Sequence, residues 1–195
     1  MSRQPINIFL RPIVKADITD RYLSWFQDGE VINFLDARDL TRDKVIAYIQ
    51  SGITSRTFYM YGLCLSDGGL HIGDVKIGSF NRCNKVTDLV TIIGDQEYWG
   101  KGIGQTAIEM GTSLGFEDGG IRKFFGSIDS LNQGSLKAYK RAGWHVETVV
   151  KGFFQHKIDG EYVLSDRVFV GCDNPNFDND QAQDWHPIPE LAEGQ

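Results

Sequence analysis

The stretch Glu97–Met110, "EYWGKGIGQTAIEM", places Gly100, Gly102 and Gly104 at alternate positions, with Lys101 among them, and a helical pattern follows at once. Backbone N–H groups of residues 100–105 at the start of a helix can converge on an anion, and glycines let it approach because no Cβ stands in the way. A plain glycine-rich turn from strand to helix is the alternative. The spacing G-x-G-x-G, after a run of strands that reads as a meander, does not fit a dinucleotide fingerprint, and the G-x-x-x-x-G-K-[ST] loop is absent. A second constellation lies in "NQGSLKAYKRAG" (132–143). Asn132 and Tyr139 are seven residues apart, nearly two helical turns, so both point to one side, with Ser135 close by. For Tyr139 a half-buried core position is the competing role; for Asn132 it is an N-cap, which is compatible with function. Asp95, Glu97 and Asp129 are the carboxylates near these segments.

Two other patterns do not carry chemistry. "GTSLG" (111–115) spells a hydrolase nucleophile motif, but Ser113 falls inside a helical pattern rather than on a strand-to-helix turn. The histidines His71, His145, His156 and His186 show no metal-ligand spacing, so no metal is expected.

The elements that must position these groups follow from periodicity. "INIFLRPI" (6–13) alternates as a first strand. "DITDRYLSWFQDGE" reads as an amphipathic helix with Asp17 as N-cap, and "TRDKVIAYIQSG" (41–52) as a second, capped by Thr41 and stopped by Gly52. Strands over 57–66, 71–80 and 86–95 form a meander. A helix follows the glycine loop, with Ile103, Ala107, Met110 and Leu114 on one face; then come a strand over 122–129, the helix over 132–143, and a closing hairpin turning at Asp159-Gly160. The order β-α-α-β-β-β-α-β-α-β-β predicts one α/β domain, a mixed sheet flanked by helices.

Charge and composition narrow the function. The net charge of −6 is carried by six acidic residues after Val170, where Lys and Arg are absent; residues 1–170 hold 20 acids against 20 bases. A neutral body argues against nucleic acid, which requires a basic footprint. No apolar run is long enough for a membrane span, and three widely spaced cysteines suit reduced thiols in a cytoplasm. The domain is therefore set at 1–170, and 171–195 is expected to be an extended acidic tail, dispensable for coenzyme binding, with Trp185 as its one residue able to dock on the body or on a second subunit. A homodimer is left open.

"YWGKGIGQTAI" resembles the acyl-CoA-binding motif of the GNAT N-acetyltransferase superfamily, Arg/Gln-x-x-Gly-x-Gly/Ala, with Trp99 where Arg or Gln is commonest. "NQGSLKAYKRAGW" resembles that family's Asn-x-x-Ser-x-x-x-Tyr-x-Lys-x-Gly-Phe, with Arg141 and Trp144 as departures. The likeness spans about residues 6–170 and is nearest to the branch of ribosomal-protein and amino-sugar acetyltransferases. It implies a mostly antiparallel central sheet and acetyl-CoA as co-substrate. Residues Gly100–Gln105 (Gly100, Lys101, Gly102, Ile103, Gly104, Gln105) would hold the pyrophosphate. Backbone groups of Ile92, Ile93 and Gly94, on a strand splayed from its neighbour, would hold the pantetheine arm and the acetyl carbonyl. Asn132 and Ser135 would also bind coenzyme, and Tyr139 would protonate the departing thiolate. Where peptide N-terminal acetyltransferases often carry a glutamate, this chain has Ser127, so the base is open between Glu97 and a group acting through water. The expected acceptor is the primary amine of a small molecule, an amino sugar on a nucleotide carrier ahead of a peptide N-terminus; Tyr22, Trp25, Phe26 and Phe34 are candidates to line its pocket. A non-catalytic acyl-CoA-binding domain is the other class.

Overall fold

A computed structural model describes residues 6–35, 40–118, 120–180 and 186–194. Its elements run β1 (Ile8–Pro12), α1 (Asp20–Trp25), α2 (Arg42–Ser55), β2 (Tyr59–Leu65), β3 (His71–Ile77), β4 (Val86–Ile93), α3 (Ile103–Asp118), β5 (Lys123–Asp129), α4 (Gln133–Arg141), β6 (His145–Ile158) and β7 (Glu161–Asp173). This is the order that the hydrophobic periods predict. Among the described residues the seven strands form one sheet, ordered β1-β2-β3-β4-β5-β7-β6. All neighbours are antiparallel except β4 and β5, which run parallel and pair only over Val86–Asp88 against Lys123–Phe125. Beyond that short ladder both strands continue, β4 to Ile93 and β5 to Asp129, so they diverge as a wedge.

The wedge is built by what lies on each side of it. α3 packs on one face of the sheet, where Gly111 brings its backbone down onto Leu89 and Val75. On the same face Phe124 of β5 packs with Phe116 of α3 and with Trp144, just beyond α4. Strand alternation then turns Asp88 and Val90 of β4, and Phe125, Ser127 and Asp129 of β5, to the opposite face.

Three helix boundaries differ from those the sequence predicts, the first being the end of α1, which stops at Trp25 instead of running on towards Glu30. Thr19, not Asp17, caps α1, its side chain accepting from the Tyr22 N–H. The Asp17 carboxylate is held instead by Arg11, at 2.6 and 2.7 Å, and by the Val14 N–H. Thr41 caps α2 as expected, but Gly52 does not end that helix, which continues to Ser55 and closes on Arg56 in the left-handed region. Gly52 has a packing reason: a Cβ there would lie 2.5 Å from the Phe58 ring.

The C-terminal segment departs from a detached tail. β7 passes Val170 and ends at Asp173, so the boundary that composition suggests falls inside a strand. Further on, Ile188 and Leu191 are buried in the core, and the Lys15 and Ala16 N–H groups donate to Ala192 and Glu193 carbonyls at 2.8 Å. Trp185 lies outside the described residues. Burying one such aliphatic side chain is worth about 1.5–3 kcal/mol, so a chain ended after Asp180 should lose roughly 3–5 kcal/mol. Thermal unfolding should show this as a midpoint lower by about 10 °C; an unchanged midpoint would show that the docked segment contributes nothing. No described helix is long and apolar enough to cross a membrane.

Candidate active site

Tyr139 enters the wedge from α4. It is buried, and its hydroxyl donates to the Leu89 carbonyl at 2.6 Å, on the edge of β4 that β5 has left. Burial pushes its pKa well above the ordinary phenol range, the nearby Asp88 carboxylate adds to this, and the Thr91 hydroxyl pulls the other way. That Thr91 hydroxyl is itself buried without a hydrogen-bond partner. Asn132 is the N-cap of α4, accepting from the Ser135 N–H at 3.0 Å. The structure thus gathers Asn132, Ser135 and Tyr139 on one short helix beside the wedge.

Hydrogen bonding along β4 assigns its open edge. The Gly78 N–H donates to Asp88 and the Gly94 N–H to Ile72, so the even-numbered residues Asp88 to Gly94 face β3. The odd-numbered ones face the wedge. Leu89 gives its carbonyl to Tyr139, and Ile93 gives its carbonyl to the Trp99 indole at 2.8 Å. Of Ile92, Ile93 and Gly94, only Ile93 therefore lies on the open edge, and Gly94 sits beneath the Trp25 indole. The residue that sequence reasoning missed is Thr91, whose N–H and carbonyl point into the wedge. Parity along the strand is the signal that could have found it.

The glycine loop adjoins this edge. Gly100 and Gly102 have φ of +70° and +84°, and a Cβ on either would meet nothing within 4 Å. α3 begins at Ile103, and its first bond runs from the Thr106 N–H to Gly102. The N–H groups of Ile103, Gly104 and Gln105 are left as free donors at a helix N-terminus. The Gln105 side chain donates to Glu109, and the Lys101 ammonium sits 5.3 Å from the centre of the Tyr98 ring. An open backbone edge, a buried unpartnered hydroxyl and a cradle of amide donors fit a long thioester carrying a pyrophosphate.

Glu97 is not brought to this cluster. It is exposed on the turn after β4, beside the Tyr98 hydroxyl, eight residues past the carbonyl that Tyr139 binds. Asp95 is paired with Arg21 and accepts from the Trp25 indole. Ser113 is mid-helix in α3, as its spacing predicts.

The opposite face of the wedge brings Ser127, Asp129 and Phe34, which the sequence named, together with Arg167, His156, Ser165 and Asp88, to which it gave no role. Ser127 accepts from Arg167 Nη2 at 2.9 Å, and the guanidinium stacks within 4.7–6.0 Å of the Phe153, Phe154 and Phe169 ring centres. His156 Nε2 lies 2.7 Å from Asp129 Oδ2 and 2.9 Å from Ser165 Oγ, with Phe34 edge-on to its ring. Asp88 has one carboxylate oxygen buried without a partner; burial raises its pKa and Lys76 opposes that. Of the aromatic residues proposed for an acceptor pocket, Tyr22 and Trp25 are core residues, 2% and 3% exposed, and Phe26 packs on Tyr22; Phe34, 38% exposed, reaches this face. Away from the wedge, His145, Glu147 and Asp173 come together at the surface, where the Lys123 ammonium binds both carboxylates.

A seven-stranded sheet opened between parallel β4 and β5, an amide cradle at one end and a buried phenol inside define an acyl-CoA-dependent acyltransferase. Residues 7–145 match the acetyltransferase (GNAT) domain model, and the chain belongs to that family. It is an N-acetyltransferase with acetyl-CoA as donor. Among solved structures it is similar to a spermidine N-acetyltransferase from Vibrio cholerae in complex with CoA and spermine (TM-score 0.74, 16% identity, 87% of this chain and 97% of that one). It is equally similar to a ribosomal-protein-S5-alanine acetyltransferase from Vibrio fischeri (TM-score 0.74, 16% identity, 91% and 99%). A GNAT-family acetyltransferase from Bacillus anthracis follows (TM-score 0.70, 12% identity, 88% and 97%). Among curated protein sequences no significant match is found.

Proposed function

We propose that this enzyme acetylates the primary amine of a small acceptor that also carries an anionic group, an amino sugar on a nucleotide carrier being the best fit. In this scheme the pyrophosphate of acetyl-CoA rests on the amides of residues 100–105. The pantetheine arm lies along the open edge of β4, with the Thr91 and Ile93 N–H groups as donors to the arm and to the developing oxyanion. Asn132 and Ser135 flank it on α4, and Tyr139 protonates the sulfur. The acceptor occupies the opposite face.

The observation that carries the acceptor class is Arg167. Where peptide N-terminal acetyltransferases often carry a glutamate, Ser127 stands with a guanidinium bonded to it, so this spot carries positive charge. A cation there disfavours polyamines and a protonated peptide terminus, favours the neutral form of an incoming amine, and can grip a phosphate through two N–H groups. The surrounding Phe rings suit a sugar or base.

Mass spectrometry on a panel of nucleotide-linked amino sugars, polyamines and N-terminal peptides tests this. Acetylation of the nucleotide-linked amines is expected, and acetylation of polyamines or peptides alone would overturn it. In Arg167→Met the acceptor KM should rise tenfold or more with kcat less affected, since a charge-assisted bond to phosphate is worth about 1.5–3 kcal/mol.

A further inference from the structure

We infer that His156, oriented by Asp129, is the catalytic base that takes the proton from the acceptor's ammonium group. The inference rests on transfer at this wedge but not on which amine is used.

Asp129 is 8% exposed and ends β5, two residues beyond Ser127 on the same face, and its carbonyl accepts the Asn132 N–H that opens α4. Its carboxylate is thus fixed next to the helix bearing Tyr139. One oxygen accepts the Leu131 N–H at 2.9 Å and the other faces His156 Nε2 at 2.7 Å. A carboxylate can only accept, so Nε2 carries the hydrogen; Ser165 Oγ, at 2.9 Å, completes the contact. Nδ1 therefore holds the lone pair, and it has no hydrogen-bond partner among the described residues. Phe34 stands edge-on to the ring and Phe154 lies beside it, so the imidazole is held from three directions while its basic nitrogen stays available. Among the described residues the other charged groups that strand alternation puts on this face of β1, β3, β4 and β7 include Arg11, Asp74, Lys76, Asp88 and Arg167. None of them bonds to His156.

The proton balance is complete. The ammonium gives one proton to His156 Nδ1, which releases it to solvent. The neutral nitrogen forms the C–N bond, the tetrahedral adduct collapses and the C–S bond breaks. The second proton lost by nitrogen balances the one that Tyr139 gives to sulfur.

The test uses whichever amine the wild-type enzyme acetylates best, so an error in the acceptor class leaves it valid. His156→Gln should lower kcat/KM for the amine about 10²-fold at neutral pH with acetyl-CoA affinity unchanged by calorimetry, which also reports folding. Its rate should recover as pH approaches the amine's own pKa, where the nitrogen sheds its proton unaided, and added imidazole should partly rescue His156→Ala. Asp129→Asn, which keeps an acceptor for the Leu131 N–H, should be impaired alone but add little to His156→Gln. A His156→Gln enzyme within twofold of wild type at neutral pH would overturn the assignment. So would loss of rate in Asp88→Asn with His156→Gln intact.

Discussion

Tyr139→Phe is expected to lower kcat by roughly 10²- to 10³-fold while acetyl-CoA affinity stays within about twofold. The hydroxyl is buried at the apex of the wedge with its proton directed at the Leu89 carbonyl, so losing it removes one hydrogen bond and creates no cavity. The stability cost should be near 1 kcal/mol. Its raised pKa makes the free phenol a weaker acid. The apolar enclosure that raises the phenol also raises the basicity of any thiolate formed beside it, so the mismatch between an ordinary phenol near ~10 and thiol near ~8.5 does not widen in proportion. A high pKa also keeps the group protonated until the thiolate appears. Thiol-release kinetics with calorimetry of acetyl-CoA binding check this, and a variant turning over at the wild-type rate would leave Tyr139 as a packing residue.

Coenzyme affinity should collapse in Gly102→Asp, by on the order of 3 kcal/mol, about a hundredfold or more, because a carboxylate would face the pyrophosphate at the helix N-terminus. Calorimetry measures this directly. The protein itself has room for the side chain, although φ of +84° strains any non-glycine residue there. Two neighbours serve as controls. Gly104 lies within the first turn of α3, and its added Cβ would meet only Ala138, at an ordinary 3.8 Å. Gly104→Ala should therefore fold well and bind, as the family pattern allows, whereas Gly104→Val should bind weakly. Lys101→Ala should matter little, since that ammonium already rests on the Tyr98 ring. Unchanged affinity in Gly102→Asp would place the coenzyme elsewhere.

Much of this arrangement was legible in the sequence, for a physical reason: the glycine loop and the Asn132–Tyr139 pair are local, each contained in one loop or in nearly two helical turns. Local spacing fixes which side chains share a face. The acceptor face is not local. His156, Asp129, Ser165, Arg167 and Ser127 meet only because β7 inserts between β5 and β6, and no spacing along the chain announces that insertion. The open edge of β4 was half legible: alternation groups Thr91 with Ile93, but which parity faces outward depends on register with β3. Gly52 misled because a glycine late in a helical pattern usually marks its end, and here it admits Phe58 instead. The acidic C-terminal run misled because composition reports average polarity, while two aliphatic residues, Ile188 and Leu191, suffice to anchor it.

The brevity of the β4–β5 ladder has a mechanical meaning. Within the sheet only three residue pairs among the described residues join a four-stranded half, β1 to β4, to a three-stranded half, β5 to β7. In the scheme proposed above, a coenzyme laid between β4 and α4 would touch both halves at once, a splint as well as a donor, and its binding energy would add to the cohesion of the fold by mass action.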